Sequence, residues 1–335
     1  MKRRLPAEYE PQTALWLTWP GNPLTWADCR EAAETAYAHF AAAVSRYQPV
    51  EMICASQWQS AARTRLAAAG ADLKAFQFHD WPVNDAWCRD HGPLFVLNEN
   101  GETEIVDFQY NAWGGKFSPW VDDDAVPARV SELRKRVRHR VPNFGEGGAV
   151  EVNRSGLMIT TRSVWLNKNR NPGWTPEEAE ACFAEYLGVK ETLWLEEGLI
   201  GDDTDGHIDT ISRFVEDEVV VSSLCEASDP NYAVLQRNLE QLRERLTVVP
   251  LPHPRALWKN GERLPATYAN FLILNEAVLV PTYAQPEEDD RALGCLRELF
   301  PGREVLGIPS EVLIREGGSL HCLSMQQAAE NPRRR

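Results

Sequence analysis

Short blocks of helical periodicity alternate along this chain with short runs of strand character, and the pattern repeats. Glu31–Tyr47 places alanines and aromatics at helical spacing, Val50–Ala55 is a brief apolar run, and Gln57–Ala69 returns to helical spacing before Gly70. Leu73–Phe78 alternates as a strand does. Gly92–Leu97 and Glu104–Tyr110 predict strands about the Asn98–Gly101 turn, and Pro127–Arg138 predicts a basic helix. Ala149–Val152 and Leu157–Thr161 predict a hairpin around Asn153–Gly156.

The second half is plainer. Thr175-Pro176-Glu177-Glu178 carries an N-cap threonine, proline at the first helical position and acids in the first turn, predicting a helix to Tyr186. Thr192–Leu195, Ile208–Phe214, Glu218–Ser222 and Leu246–Pro250 predict strands, with a helix over Asp229–Arg245. Phe271–Leu274 and Ala277–Pro281 predict a hairpin, followed by helix Glu287–Phe300 and strand Val305–Ile308. Helices at near-regular intervals with strands between them predict an α/β fold of repeated ββαβ modules. No linker divides the chain, so one continuous domain over 1–335 is expected, with 329–335 as a disordered tail. A pair of two-layer α/β domains is the competing architecture.

Composition narrows the class. Of 335 residues, 43% are hydrophobic and 25% charged, as in a soluble globular protein. No apolar run approaches the roughly 20 residues a membrane helix needs, and the basic start Met1–Arg4 has no apolar segment behind it, so no signal peptide is expected. The seven cysteines are odd in number, scattered and never in a CxxC pair. That predicts reduced thiols in a cytoplasmic setting and excludes a disulfide framework. The net charge of −14 disfavours nucleic acid and membrane surfaces as partners and favours a small cationic molecule.

The candidate chemistry lies on glycine-punctuated loops. Gly317-Gly318 precedes Cys322 and can hold its thiol at the tip of a turn facing a cavity. Gly201–Asp209 concentrates Asp202, Asp203, Asp205, His207 and Asp209; on a strand, His207 and Asp209 would share one face and serve as proton carrier and charge clamp. Asp90 lies in Trp87-Cys88-Arg89-Asp90-His91-Gly92-Pro93, and Glu146 precedes Gly147-Gly148. The aspartates also supply metal-type oxygen ligands, but no HxxxH or HExxH pattern accompanies them. A cysteine nucleophile among carboxylates is therefore the preferred reading.

These motifs resemble, in order and over essentially the whole chain, those of the agmatine deiminase family, which is grouped with the Porphyromonas-type peptidyl-arginine deiminases. The segments that carry the resemblance are Trp87–Pro93, Asn111–Lys116, Glu146–Gly148, Gly206–Asp209 and Gly317–Cys322, with Pro6–Pro11 and Trp16–Pro20 before them. The resemblance implies a pentein, a five-bladed α/β propeller of ββαβ modules around a central active site, and metal-free hydrolysis of a guanidinium group without cofactor. It implies Cys322 as nucleophile, His207 as general acid and base, Asp90 and Asp209 as guanidinium-binding carboxylates, Glu146 as support for the histidine, and Trp87 and Trp113 as pocket aromatics. A homodimer or larger assembly is a further expectation from the resemblance.

Two positions depart from the family's habit: Thr210 stands where members tend to have Asn, and Glu316 where they tend to have a third glycine. Arg213, in phase with Asp209 on the predicted strand, is a candidate for a substrate carboxylate, whereas Asp202 and the acids after it suit a distal ammonium. The expected substrate is agmatine, giving N-carbamoylputrescine and ammonia on the way to putrescine. Free or peptidyl arginine is the alternative, and a non-catalytic guanidine- or polyamine-binding module is the third reading.

Overall fold

Five small sheets share one connectivity in the computed structural model, which describes residues 3–330. In each, the first two strands pair antiparallel, and a helix then carries the chain to a third strand parallel with the second. The second module runs Leu94–Leu97, Thr103–Gln109, helix Val126–Arg134, Arg138–Phe144. The third runs Glu151–Val152, Leu157–Thr161, helix Pro176–Leu187, Glu191–Leu195. The fourth is Ser212–Glu216, Val219–Leu224, helix Tyr232–Arg243, Thr247–Pro252. The fifth is Leu272–Ile273, Ala277–Thr282, helix Pro286–Leu299, Glu304–Pro309. These are the repeated ββαβ modules predicted from periodicity, in place of a two-layer domain pair.

The remaining module is assembled from both ends of the chain. Its first strand is Ser324–Ala328, paired antiparallel with Gln12–Thr18; helix Arg30–Ser45 leads to the parallel Val50–Ile53, and Phe76–His79 extends the sheet. The sequence reading missed this closure, because it assigned no strand before Val50 and none after Ile308. Ala329 and Glu330, expected to start a disordered tail, are tied down: Ala329 N–H donates to Pro11 O at 2.8 Å, and Glu330 accepts from Thr103. The rest of that expected tail lies outside the described residues.

Local chemistry explains the boundaries. Thr175 and Glu178 form a reciprocal capping box, and Gly188 closes that helix at φ 69°. Lys135 takes φ 52° and ends the basic helix at Arg134, earlier than predicted, which frees Arg138–Phe144 for a strand. Leu73–Ala75 is a 3₁₀ turn ahead of Phe76–His79, and Ile208–Thr210 another ahead of Ser212, where unbroken strands were predicted. Apolar faces of adjacent modules pack together: Leu15, Tyr37 and Phe40 of the first with Leu272 and Leu279 of the fifth, and Val220 and Leu235 of the fourth with Ile159 and Leu195 of the third. Outside the modules lies one hairpin, Leu257–Lys259 with Glu262–Leu264.

The repeat decides where the chemistry goes. Each module's first strand is preceded by a tight turn, and the five turns are stitched together. Arg89 N–H donates to Cys322 O at 3.1 Å, Gly148 N–H to Asp90 Oδ1 at 3.0 Å, and His321 N–H to Asn270 O at 3.2 Å. Asp90, Glu146, His207 with Asp209, Asn270 and Cys322 are among the polar side chains these turns contribute.

Candidate functional site

Cys322 lies at the floor of a cleft also lined by Trp87, Asp90, Trp113, Gly317 and Gly318, with about 2240 Å³ of space when its open mouth is included. The Gly317-Gly318 turn works as the sequence suggested: Gly317 adopts φ 93°, and a Cβ on Gly318 would stand 2.5 Å from the Trp87 ring and 3.0 Å from Cys322 Cβ. Only glycine lets the thiol and indole approach so closely.

Asp90 is held at both oxygens. Oδ1 accepts from Gly148 N–H and Oδ2 from Trp113 Nε1–H, each at 3.0 Å. The indole reaches that oxygen because Ala112, Trp113, Gly114 and Gly115 are successively left-handed, at φ 49°, 55°, 89° and 77°. Two of the four are non-glycine, a costly conformation for residues with a Cβ. Burial pushes the Asp90 carboxyl up to about 6; His207 opposes that rise, while Asp209 and Glu146 add to it.

Below the floor, His207 is fully buried between two acids, its Nδ1 3.6 Å from Asp90 Oδ1 and its Nε2 3.7 Å from Glu146 Oε2. These are ion-pair distances, too long for hydrogen bonds, and neither ring nitrogen has a hydrogen-bond partner among the described residues. Burial pulls the imidazole down, but Asp90, Glu146 and Asp209 outweigh it and raise its pKa to about 9. Gly148 makes the approach possible, since a Cβ there would lie 2.4 Å from His207 Nδ1 and 2.8 Å from Asp90 Oδ1. Glu146 is in turn gripped by Arg170 Nε at 2.7 Å; Arg170 and His207 overcome its burial and hold its carboxyl below the usual range.

Asp209 sits in the Ile208–Thr210 turn, not on a strand face with His207 as predicted. Its Oδ2 accepts from His321 Nδ1 at 2.7 Å and from Asn270 Nδ2 at 3.2 Å, and lies 3.6 Å from Cys322 Sγ; its buried Oδ1 has no partner. His321 Nε2 lies 2.6 Å from Glu8 Oε2, so both ring nitrogens meet carboxyl groups. Against its burial, His321, His207 and Arg213 hold the Asp209 carboxyl below its ordinary value. Burial, Asp209 and Asp90 together push the Cys322 thiol well above its own.

Two sequence candidates do not line the cleft. Arg213 is fully buried, with Glu8 at 2.7 Å and Glu151 at 2.8 Å, and donates to Phe271 O at 2.6 Å. The strand begins only at Ser212, so the alternation that put Arg213 beside Asp209 does not exist. Asp202 turns back on its own loop, accepting from Thr204 and, at 3.4 Å, from Thr210 Oγ1. The structure puts Asp203 on the cleft wall instead, with Asp85 and Glu262. Asp205 binds Lys116 at 2.7 Å and Arg170 at 2.6 Å, so the run of aspartates diverges.

Asn270 and Asp85 escaped the sequence reading. A polar Asn270 inside the largely apolar run 266–274 had to find buried partners, and it occupies in the fifth module the turn that carries the candidate site residues in the other four. The repeat itself was the signal.

The model of Porphyromonas-type peptidyl-arginine deiminases matches residues 4–328. The chain belongs to the Porphyromonas-type peptidyl-arginine deiminase family. Within that family it is 36% identical to the agmatine deiminase of Stutzerimonas stutzeri, covering 97% of this chain and 95% of the relative. Among solved structures it superposes on a cysteine-to-serine variant of the C. jejuni agmatine deiminase with substrate bound at TM-score 0.91, with 31% identity over 98% of this chain and 97% of that one. A putative arginine deiminase from Porphyromonas gingivalis matches at TM-score 0.89 with 37% identity, covering 99% and 100%.

Proposed function

We propose that this deiminase-family chain hydrolyses agmatine to N-carbamoylputrescine and ammonia, as one catalytic unit in the cytoplasm, through a covalent amidino-cysteine intermediate. The observation that carries the reading is the charge around the thiol. Cys322 faces two buried carboxylates at the foot of a cleft whose unpaired charges are all acidic. Along its walls Lys116 pairs with Asp205, Lys259 with Glu316 at 2.6 Å, Arg263 with Asp229 at 2.7 Å, and Arg315 with Asp28. Asp85, Asp203 and Glu262 have no basic side chain in ion-pair range among the described residues. Such a cleft suits a ligand cationic at both ends. A free arginine would bring its carboxylate to these acids, and Arg213 is not there to receive it.

Asp90 and Asp209 take the planar guanidinium between them and hold its carbon over Cys322. The arriving cation offsets the acids that oppose the thiol's ionisation. One positive charge about 4 Å from sulfur is worth about 4 kcal/mol at an effective dielectric near 20, roughly a thousandfold in the ionisation equilibrium. The thiolate adds to the carbon, and the His207 imidazolium gives its proton to the departing nitrogen as ammonia leaves. Neutral His207 then takes a proton from water as the oxygen adds to the amidino carbon. The C–S bond breaks, thiolate and imidazolium are restored, and the proton left on the ureido product passes to ammonia. The seven free thiols suit a reducing compartment.

The test is ammonia release from agmatine, arginine and an arginine-terminated peptide, side by side. Agmatine is expected to be turned over best; faster release from either of the others overturns the substrate. Cys322→Ser is expected to abolish release with the fold intact, and near-normal turnover in that variant would sink the nucleophile.

A further inference from the structure

Four of the five turns contribute residues to that chemistry. The fifth contributes Asn270, 2% exposed, at the entrance to Leu272–Ile273. Its Oδ1 accepts from Ser319 Oγ at 3.0 Å and from the backbone N–H groups of His321 at 3.2 Å and Cys322 at 3.4 Å. That side of the amide clamps the cysteine turn. The other side points at the reaction. One Nδ2 hydrogen reaches Cys322 Sγ at 3.1 Å, while the second reaches Asp209 Oδ2 at 3.2 Å.

We infer that Asn270 is a further catalytic residue, whose side-chain amide stabilises the Cys322 thiolate and fixes its direction of attack. The inference rests on Cys322 being the nucleophile. Two acids oppose charge on the sulfur: Asp209 Oδ2 is at 3.6 Å, and Asp90 lines the same cleft. The amide reaches the sulfur more closely than Asp209 does, joins the Ser319 backbone N–H in favouring negative charge there, and neither titrates nor leaves. Its tie to Asp209 Oδ2, shared with His321, also turns Oδ1 of that carboxylate free for the guanidinium.

Timing gives the amide a task the substrate cannot perform. A bound guanidinium offsets the acids while sulfur attacks. Once the ureido product has passed its proton to ammonia, the thiolate has no cationic guanidinium beside it until the next substrate binds. The Asn270 N–H is still there. An interaction with a charged partner is the stronger class of hydrogen bond, so its loss is expected to reduce thiolate population about tenfold or more.

Iodoacetamide, a neutral probe, separates thiol ionisation from guanidinium capture. Its rate with Cys322 is read by mass spectrometry of the Cys322 peptide, at one mildly alkaline pH, in wild type, Asn270→Ala and Asn270→Asp. Both variants are expected to alkylate about tenfold or more slowly, although the alanine opens space around the sulfur and would speed any access-limited reaction. Turnover of agmatine is expected to lose kcat with KM moved less than about twofold; a clamp alone would disturb Asp209 and move both. Should the alanine variant fail to fold, Asn270→Asp decides, because it keeps an accepting oxygen, loses the donor and adds an acid beside the sulfur, so wild-type alkylation there contradicts the proposal most strongly. Alkylation as fast as wild type in a folded variant overturns the proposal. The alkylation rate needs no substrate, so it stands even where agmatine proves not to be turned over, which would instead sink the functional reading.

Discussion

The proposed proton transfer to departing ammonia needs a protonated histidine, and Asp90, Glu146 and Asp209 outweigh burial to raise the His207 pKa to about 9. The Cys322 thiol holds its own proton to still higher pH, because burial, Asp209 and Asp90 all oppose the thiolate. The free site is therefore a thiol with an imidazolium, and productive binding releases one proton. On that reasoning kcat/KM for agmatine rises from neutral pH and levels near 9, where thiol plus imidazole contains as many protons as thiolate plus imidazolium. A flat profile across that range would mean that the thiol is already ionised. Below about 6 a second, steeper loss is expected as Asp90 gains a proton and its grip on the cation weakens; Asp90→Asn raises KM throughout and removes that limb. Arg213 belongs to another category. Removing its guanidinium leaves Glu8 and Glu151 buried without their cation, so Arg213→Ala is expected to cost about 3–5 kcal/mol, seen as a lowered denaturation midpoint, with no change in preference between agmatine and arginine in whatever remains folded.

The turns are where sequence spoke most clearly, and also where it misled. Cys322, Asp90, Glu146 and His207 were legible because a glycine neighbour left them no comfortable core position, and glycine is what those turns need. Gly148 gives the sharpest case. Gly148→Ala places a methyl 2.4 Å from His207 Nδ1, and one of the two must move. Because even a 1 Å displacement at a reacting centre costs about a hundredfold, kcat is expected to fall by that order while the melting temperature moves little. Equal kcat in a folded Gly148→Ala protein would place His207 outside the proton path. The errors have physical causes too. A 3₁₀ turn over Ile208–Thr210 contains β-formers, so period-two counting ran through it to Arg213 and assigned a face that begins only at Ser212. Asn270 hid inside an apolar run, and the strand Ser324–Ala328 hid behind two glutamines that pack at a sheet edge.

At the scale of the molecule, the two ends of the chain close one sheet, so the turn bearing Cys322 meets those bearing Asp90 and Asn270 only once the first and last segments pair. Sequence could count modules but could not show that the first lacks its opening strand until the last supplies it. The same scale sets the electrostatics. A net charge of −14 surrounds a cleft in which Asp85, Asp203 and Glu262 are unpaired, and opposite charges raise capture rates in a way that salt screens. Agmatine carries two positive charges and butylguanidine, with the same four-carbon chain but no terminal amine, carries one. If the wall acids read the far ammonium, kcat/KM for agmatine falls severalfold between about 10 mM and 0.5 M salt, and the logarithmic slope for butylguanidine is about half as steep. Asp203→Asn is expected to flatten the agmatine slope and leave the butylguanidine slope nearly unchanged, because only the far charge has lost its partner. Identical slopes for the two substrates would assign the salt effect to the guanidinium end alone and leave the cleft wall without a part in substrate choice.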